Sequence, residues 1–99
     1  MFARVSTYEI AGGRMDDAVK SFGSALEEIS SLDGFSEALF IVNGDDDRAT
    51  ALTLWTSRGA LEASRTAGSR LRTAAARSVD SAVVSAYEYE VAVHVVGQS

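Results

Sequence analysis

From Phe2 to Ala11 the chain shows no helical period, and Val5, Thr7, Tyr8 and Ile10 are strand formers. This stretch predicts a first strand, broken at Gly12-Gly13. Apolar residues then recur at three and four: Met15, Val19, Phe22, Leu26 and Ile29. That spacing is one stripe of an amphipathic helix, with Asp16 and Asp17 placed where the helix dipole favours negative charge. Gly34 is a natural C-terminal stop. Two strands follow, Phe35 to Asn43 and Arg48 to Trp55, joined as a hairpin through "NGDDD", where Asn-Gly supplies residues tolerant of positive φ.

Thr56 or Ser57 can cap the next helical stretch, Arg58 to Arg77. Leu61 and Leu71 are its only large apolar side chains, and Gly59 and Gly68 weaken it, so a break or kink is expected near Ser64 to Gly68. Val83 to Val96 then alternates as a long last strand, with Tyr87, Tyr89, Val91, Val93 and Val95 on one face and Glu88, Glu90, Ala92, His94 and Val96 on the other. The order is β-α-β-β-α-β. Two right-handed β-α-β halves interleave into a four-stranded antiparallel sheet with both helices on one face, a ferredoxin-like α+β fold. Helices cover one face only, yet Phe35, Leu39 and Ile41 alternate with Ala38, Phe40 and Val42 along the second strand. Both faces are apolar, and a second copy of the chain is the simplest cover for the free one. A homodimer through the sheet face is expected.

At 99 residues, one domain (1–99) is expected, and 46% hydrophobic with 23% charged residues is the balance of a soluble globular protein. No apolar run is long enough to span a membrane, and with a strand-like pattern from Phe2 in place of a basic region and apolar stretch, no cleaved signal peptide is expected. The absence of cysteine excludes disulfides and thiolate chemistry and suits the cytoplasm. A net charge of −5 argues against nucleic acid as a partner. Against that background, Arg58, Arg65, Arg70, Arg72 and Arg77 are concentrated in twenty positions, and Arg58, Arg65 and Arg72 repeat every seven. They form either a solvated face, with Glu62 spaced to pair with Arg58 and Arg65, or an anion-binding surface.

Few residues offer chemistry. His94 is the sole histidine, which disfavours a metal site, and Asp45-Asp46-Asp47 is a solvated turn without calcium-loop spacing. No serine sits in a nucleophile elbow, and Gly12-Gly13 lacks the spacing of a phosphate loop. His94 is either a surface or interface residue or a general base. Tyr8, Tyr87 and Tyr89 are half-buried packing residues, or hydrogen-bond donors to a phenolic or quinone ligand. Ala60, Ala63, Ala67, Gly68, Ala74 and Ala75 make the second helix small, so that it packs closely or leaves room. If it leaves room, Trp55, Leu52 or Leu54, Leu61, Leu71 and Phe22 bound an apolar pocket with Arg72 at its rim.

The stretch "LTLWTSRGALEAS", with Trp55-Thr56-Ser57 followed by Ala60 and Leu61, resembles the antibiotic biosynthesis monooxygenase (ABM) family of dimeric α+β barrels, and the likeness runs from Phe2 to Val96. In members that oxygenate polycyclic aromatics without metal or flavin, the resemblance implies a pocket between sheet and helices. That pocket uses an asparagine four before the tryptophan, a tyrosine six after it and an arginine further on. Those positions hold Ala51, Leu61 and, with a short gap, Arg72. The positions that haem-degrading members need hold Ser6, Ser64 and Ala74, so haem oxygenation is rejected.

Two functions are therefore expected. The first is a cofactor-independent monooxygenase acting on a polycyclic aromatic or quinol-type metabolite, with no cofactor, Arg72 as the catalytic anion stabiliser and Trp55, Leu61, Leu71 and Phe22 as the substrate wall. The second is a non-catalytic homodimer of the same fold that binds an apolar small molecule or merely assembles.

Overall fold

The computed structural model describes residues 1–97. Its elements are β1 (Phe2–Glu9), α1 (Met15–Ile29), β2 (Phe35–Asn43), β3 (Arg48–Trp55), α2 (Arg58–Ala63), α3 (Arg65–Ser78) and β4 (Ala82–Glu90). The strands form one antiparallel sheet in the order β2-β3-β1-β4. This is the β-α-β-β-α-β arrangement read from the sequence, with the second helix divided at Ser64. Ser57 caps α2, its Oγ accepting from the Ala60 N–H at 3.1 Å.

Local chemistry accounts for the turns. Gly34 takes φ +79 after α1, and a Cβ there would also overlap the side chain of Ala60. In the β2–β3 hairpin the positive φ falls on Asp47, at 54°, and not on Gly44. The expected Asn-Gly turn is replaced by a longer loop closed by side chains: Asn43 Oδ1 accepts from the Asp45 N–H at 3.0 Å, and Asp46 Oδ1 from the Arg48 N–H at 3.2 Å.

The last strand is shorter than the valine alternation predicts. β4 pairs only with β1, and that partner ends where Phe2 meets Glu90. One further bond, Val91 N–H to Met1 O at 2.9 Å, closes the ladder. Without a neighbour there is no strand, whatever the side chains prefer. His94 therefore lies beyond β4, with Nε2 3.6 Å from Glu37 Oε1 on the opposite edge strand, β2.

Two apolar clusters join helices to sheet. In the first, Phe22 stacks on Phe40 with ring centroids 4.8 Å apart and meets Tyr8 at a tilt at 4.6 Å, among Ala18, Ala25, Ala49 and Ala75. The second gathers Ile29, Trp55 and Leu61, with Phe35 edge-on to Trp55 at 5.6 Å. The small residues on β3 and α3 let the aromatic rings of α1 and β2 fill that space.

Candidate ligand cleft at Arg72

Between α3 and β4 the apolar layer gives way to charge. Helical periodicity turns Leu61, Ser64, Gly68 and Arg72 inward together, spaced three or four apart. On β1 the pleat sends Arg4, Ser6 and Tyr8 to the same side, and the β1–β4 register sets Glu88 directly beside Arg4. A cavity of about 590 Å³ opens here, lined by Arg4, Arg65, Thr66, Ser69, Arg72, Ala86, Tyr87 and Glu88. A smaller recess of about 80 Å³ shares Ser69, Arg72 and Ala86 and adds Ser6 and Tyr8.

Two guanidinium groups are buried side by side beneath α3. Arg4, 5% exposed, is bonded through both terminal nitrogens: Nη1 donates to Ser64 Oγ at 3.3 Å, and Nη2 to Leu61 O at 3.2 Å and Glu88 Oε2 at 2.6 Å. Glu88 is also gripped by Arg65, whose Nη2 donates to Oε1 at 2.6 Å and whose Nε reaches Oε2 at 3.0 Å. Arg65, then Arg4, hold the Glu88 carboxyl down to about 2. Arg72 is different. It is 7% exposed, and its Nη1 is a buried donor without an acceptor. Burial first, then the neighbouring Arg4 charge, lowers its pKa, although an arginine in this setting stays protonated. A buried cation with an unused donor is costly unless something anionic supplies the missing bond.

Tyr8 is buried beside this pair, and desolvation raises its pKa, so it keeps its proton. The aligned arginines divide by environment: Arg58 lies 5.0 Å above the Phe2 ring, Arg65 is held by Glu88, and Arg72 is buried. The hydrogen-bonded partner of Arg65 is thus a strand residue across the cleft, and Glu62 is not that partner.

Of the five residues expected to stabilise or wall the substrate, Arg72 alone lines this cleft, while of the tyrosines weighed as ligand donors Tyr87 lines the cavity and Tyr8 the recess. Leu61 borders a neighbouring cavity of about 280 Å³ together with Phe2, Arg58 and Glu88. Phe22 and Trp55 are both 0% exposed, and Leu71 packs against both apolar clusters. Trp55 has its polar atom satisfied internally, Nε1 donating to Thr53 Oγ1 at 3.0 Å. The cleft is thus charged where an apolar pocket was expected, because guanidinium groups occupy the room left by Gly68 and the small face of α3. Arg4 and Glu88 were not singled out by sequence. The available signal was an arginine in a strand with an acidic residue alternating against tyrosines in the last strand, but only strand register pairs them.

No protein-family model matches the sequence, and no curated protein does. Solved structures do. SnoaB, a cofactor-independent oxygenase from Streptomyces nogalater, superimposes with a TM-score of 0.75 at 14% identity, over 94% of each chain. A protein of Deinococcus radiodurans described as an antibiotic biosynthesis monooxygenase gives 0.77 at 13% identity, over 98% of this chain and 100% of that one. A Nitrosomonas europaea protein of the same description gives 0.72 at 11% identity, over 94% and 100%. The ABM-like resemblance first carried by Trp55-Thr56-Ser57 therefore extends to the whole architecture, and the chain has the ferredoxin-like fold that these proteins share.

Proposed function

We propose that the chain is a cofactor-independent monooxygenase that takes a polycyclic phenol or quinol as its anion in the cleft between α3 and β4. The observation that supports this most is the unpartnered Nη1 of Arg72, buried at the cavity wall. An enolate or phenolate oxygen placed there supplies the acceptor that the buried Nη1 lacks, and the Arg4 charge nearby further favours the ionised ligand. Tyr8 keeps its proton and Glu88 is too acidic to be an effective base. The substrate must therefore lose its proton readily once bound, its acidity raised by the arginines. The anion then reacts through carbon with dioxygen, forming a C–O bond. Protonation gives a hydroperoxide, and loss of water leaves a carbonyl. Overall the ring C–H and the phenol O–H are lost as the ring carbon becomes C=O, giving a quinone; one oxygen atom enters the product and the other leaves as water with those two hydrogens. In this scheme Trp55, Leu61, Leu71 and Phe22 support the wall from behind.

A second reading, binding without turnover, is favoured by Ala51 and Leu61 at the positions where oxygenating ABM members carry asparagine and tyrosine. Either protein works as a homodimer through the open sheet face, where Leu39, Ile41, Tyr87 and Tyr89 are more than half exposed. A cytoplasmic setting fits the lack of cysteine, and no helix among the described residues is long and apolar enough to cross a membrane.

Oxygen uptake with a panel of polycyclic phenols tests the proposal, alongside ligand titration. Uptake matched to quinone formation, and lost in Arg72→Gln, supports the oxygenase. Saturable binding without uptake assigns the second reading.

A further inference from the structure

We propose that the recess beside Arg72 is a site for a small inorganic anion of halide or nitrate size. This rests on the reading of the cleft as an anion site and names a second, inorganic occupant for its inner end. The recess is built from two faces. On α3, Arg72 and Thr73 follow Ser69 by three and four, so one side of the helix carries all three. On β1, Ser6 and Tyr8 are two apart and point to the same side of the sheet. Ser6 and Tyr8, 2% and 1% exposed, form the floor, and the exposed Ser69 and Thr73 stand at the mouth. Hydroxyl groups thus surround a guanidinium, and among the described residues no acidic side chain lines the recess.

Charge gives the sign of the occupant. The wider cleft sets three guanidinium groups against the single Glu88 carboxylate, a surplus of two positive charges. That carboxylate is bonded to Arg65 and Arg4, while Arg72 Nη1 is buried without a partner. A water molecule would meet the missing hydrogen bond and leave the charge uncompensated, whereas an anion meets both. Size gives the class. A cavity of about 150 Å³ is known to hold a benzene ring. The recess, at about 80 Å³, is too small for the aromatic part of a ligand, which stays in the cavity of about 590 Å³. A compact ion fits, and its lone pairs accept from hydroxyl and guanidinium donors alike. Since this ion and an aromatic anion both use Arg72, each displaces the other.

Bromide is the probe, because its anomalous scattering locates it. Crystals grown in sodium bromide should show an anomalous peak inside the recess, against the Arg72 guanidinium. In solution, the thermal midpoint of wild type should rise with bromide relative to sodium gluconate at equal ionic strength. Arg72→Gln should lose at least tenfold in bromide affinity, and its comparison with wild type removes general salt effects. Thr73→Val, a change of similar shape at an exposed position, should weaken bromide several-fold with the fold intact. The apparent Kd of 2-naphthoate, an aromatic carboxylate too large for the recess, should increase with bromide and not with gluconate.

If bromide raises the midpoint of Arg72→Gln as much as that of wild type, or its peak lies outside the recess, the proposed site is overturned. If 2-naphthoate binds through Arg72 while bromide neither stabilises nor competes, the inorganic site falls and the aromatic reading of the cleft stands. If bromide binds at Arg72 and 2-naphthoate does not bind, the inorganic site stands and the aromatic reading falls.

Discussion

Gly68 and Arg72 are in contact as only a glycine allows: a Cβ built on Gly68 would stand 3.0 Å from Arg72 Nη1 and 3.5 Å from Arg4 Nη1. A residue that weakens α3 as a helix is therefore the roof under which two guanidinium groups fit. Gly68→Ala sets two effects against each other. Alanine favours the helix by about 1 kcal/mol, while the added methyl must push the Arg72 head group by a few tenths of an ångström. The head group is the end of a flexible side chain, so melting should move little, within roughly 1 kcal/mol of wild type. Anion binding should weaken clearly. Thermal denaturation with a 2-naphthoate titration separates the two.

The Glu88 carboxyl gives a definite pH dependence. Its pKa falls from 4.5 in the unfolded chain to about 2 in the folded one, through the hydrogen bonds of Arg65 and then Arg4. A depressed carboxyl contributes stability that is fully present above about pH 4.5 and is lost as pH falls through about 2. Denaturant midpoints measured between pH 5 and pH 2 should decline more steeply for wild type than for Glu88→Gln. The salt bridge is partly exposed, with the Glu88 side chain 28% accessible, and added salt should reduce the difference.

Trp55 should report on the core and not on the ligand. It is 0% exposed and its indole N–H is bonded to Thr53. Its emission should be blue-shifted and poorly quenched by iodide, with a red shift only on unfolding. Trp55→Ala should cost about 3–5 kcal/mol. Any ligand-dependent change in Trp55 emission with the fold intact would place the ligand deeper than the Arg72 cleft.

The open sheet face should carry the dimer. Ile41→Glu puts a charge on a side chain that is 57% exposed in the single chain, so the monomer should fold with little loss of stability. Sedimentation equilibrium should show wild type as a dimer and Ile41→Glu shifted towards monomer. A wild-type monomer at micromolar concentration would sink the expectation.

Hydrophobic spacing by itself determined most of this fold. The stripe Met15–Val19–Phe22–Leu26–Ile29 specified α1, the Gly34 stop took its positive φ, and Phe35–Asn43 and Arg48–Trp55 formed as read. Such elements rest on local period and turn chemistry, which one chain segment contains in full. The end of β4 was decided elsewhere, because a strand lasts only as long as its neighbour, and β1 runs out at Phe2. The site was legible in part, at Arg72, Arg65, Tyr8 and Tyr87. Arg4, the neighbour of Arg72, is 68 residues away from it in sequence, and Glu88 is 84 residues beyond Arg4, joined by a register that no local pattern encodes. Tertiary structure also settled which arginine is a surface charge and which is a buried donor. A seven-residue repeat aligns Arg58, Arg65 and Arg72 along the helical stretch. Only packing against β1 and β4 leaves the first two at the surface and buries the third without an acceptor.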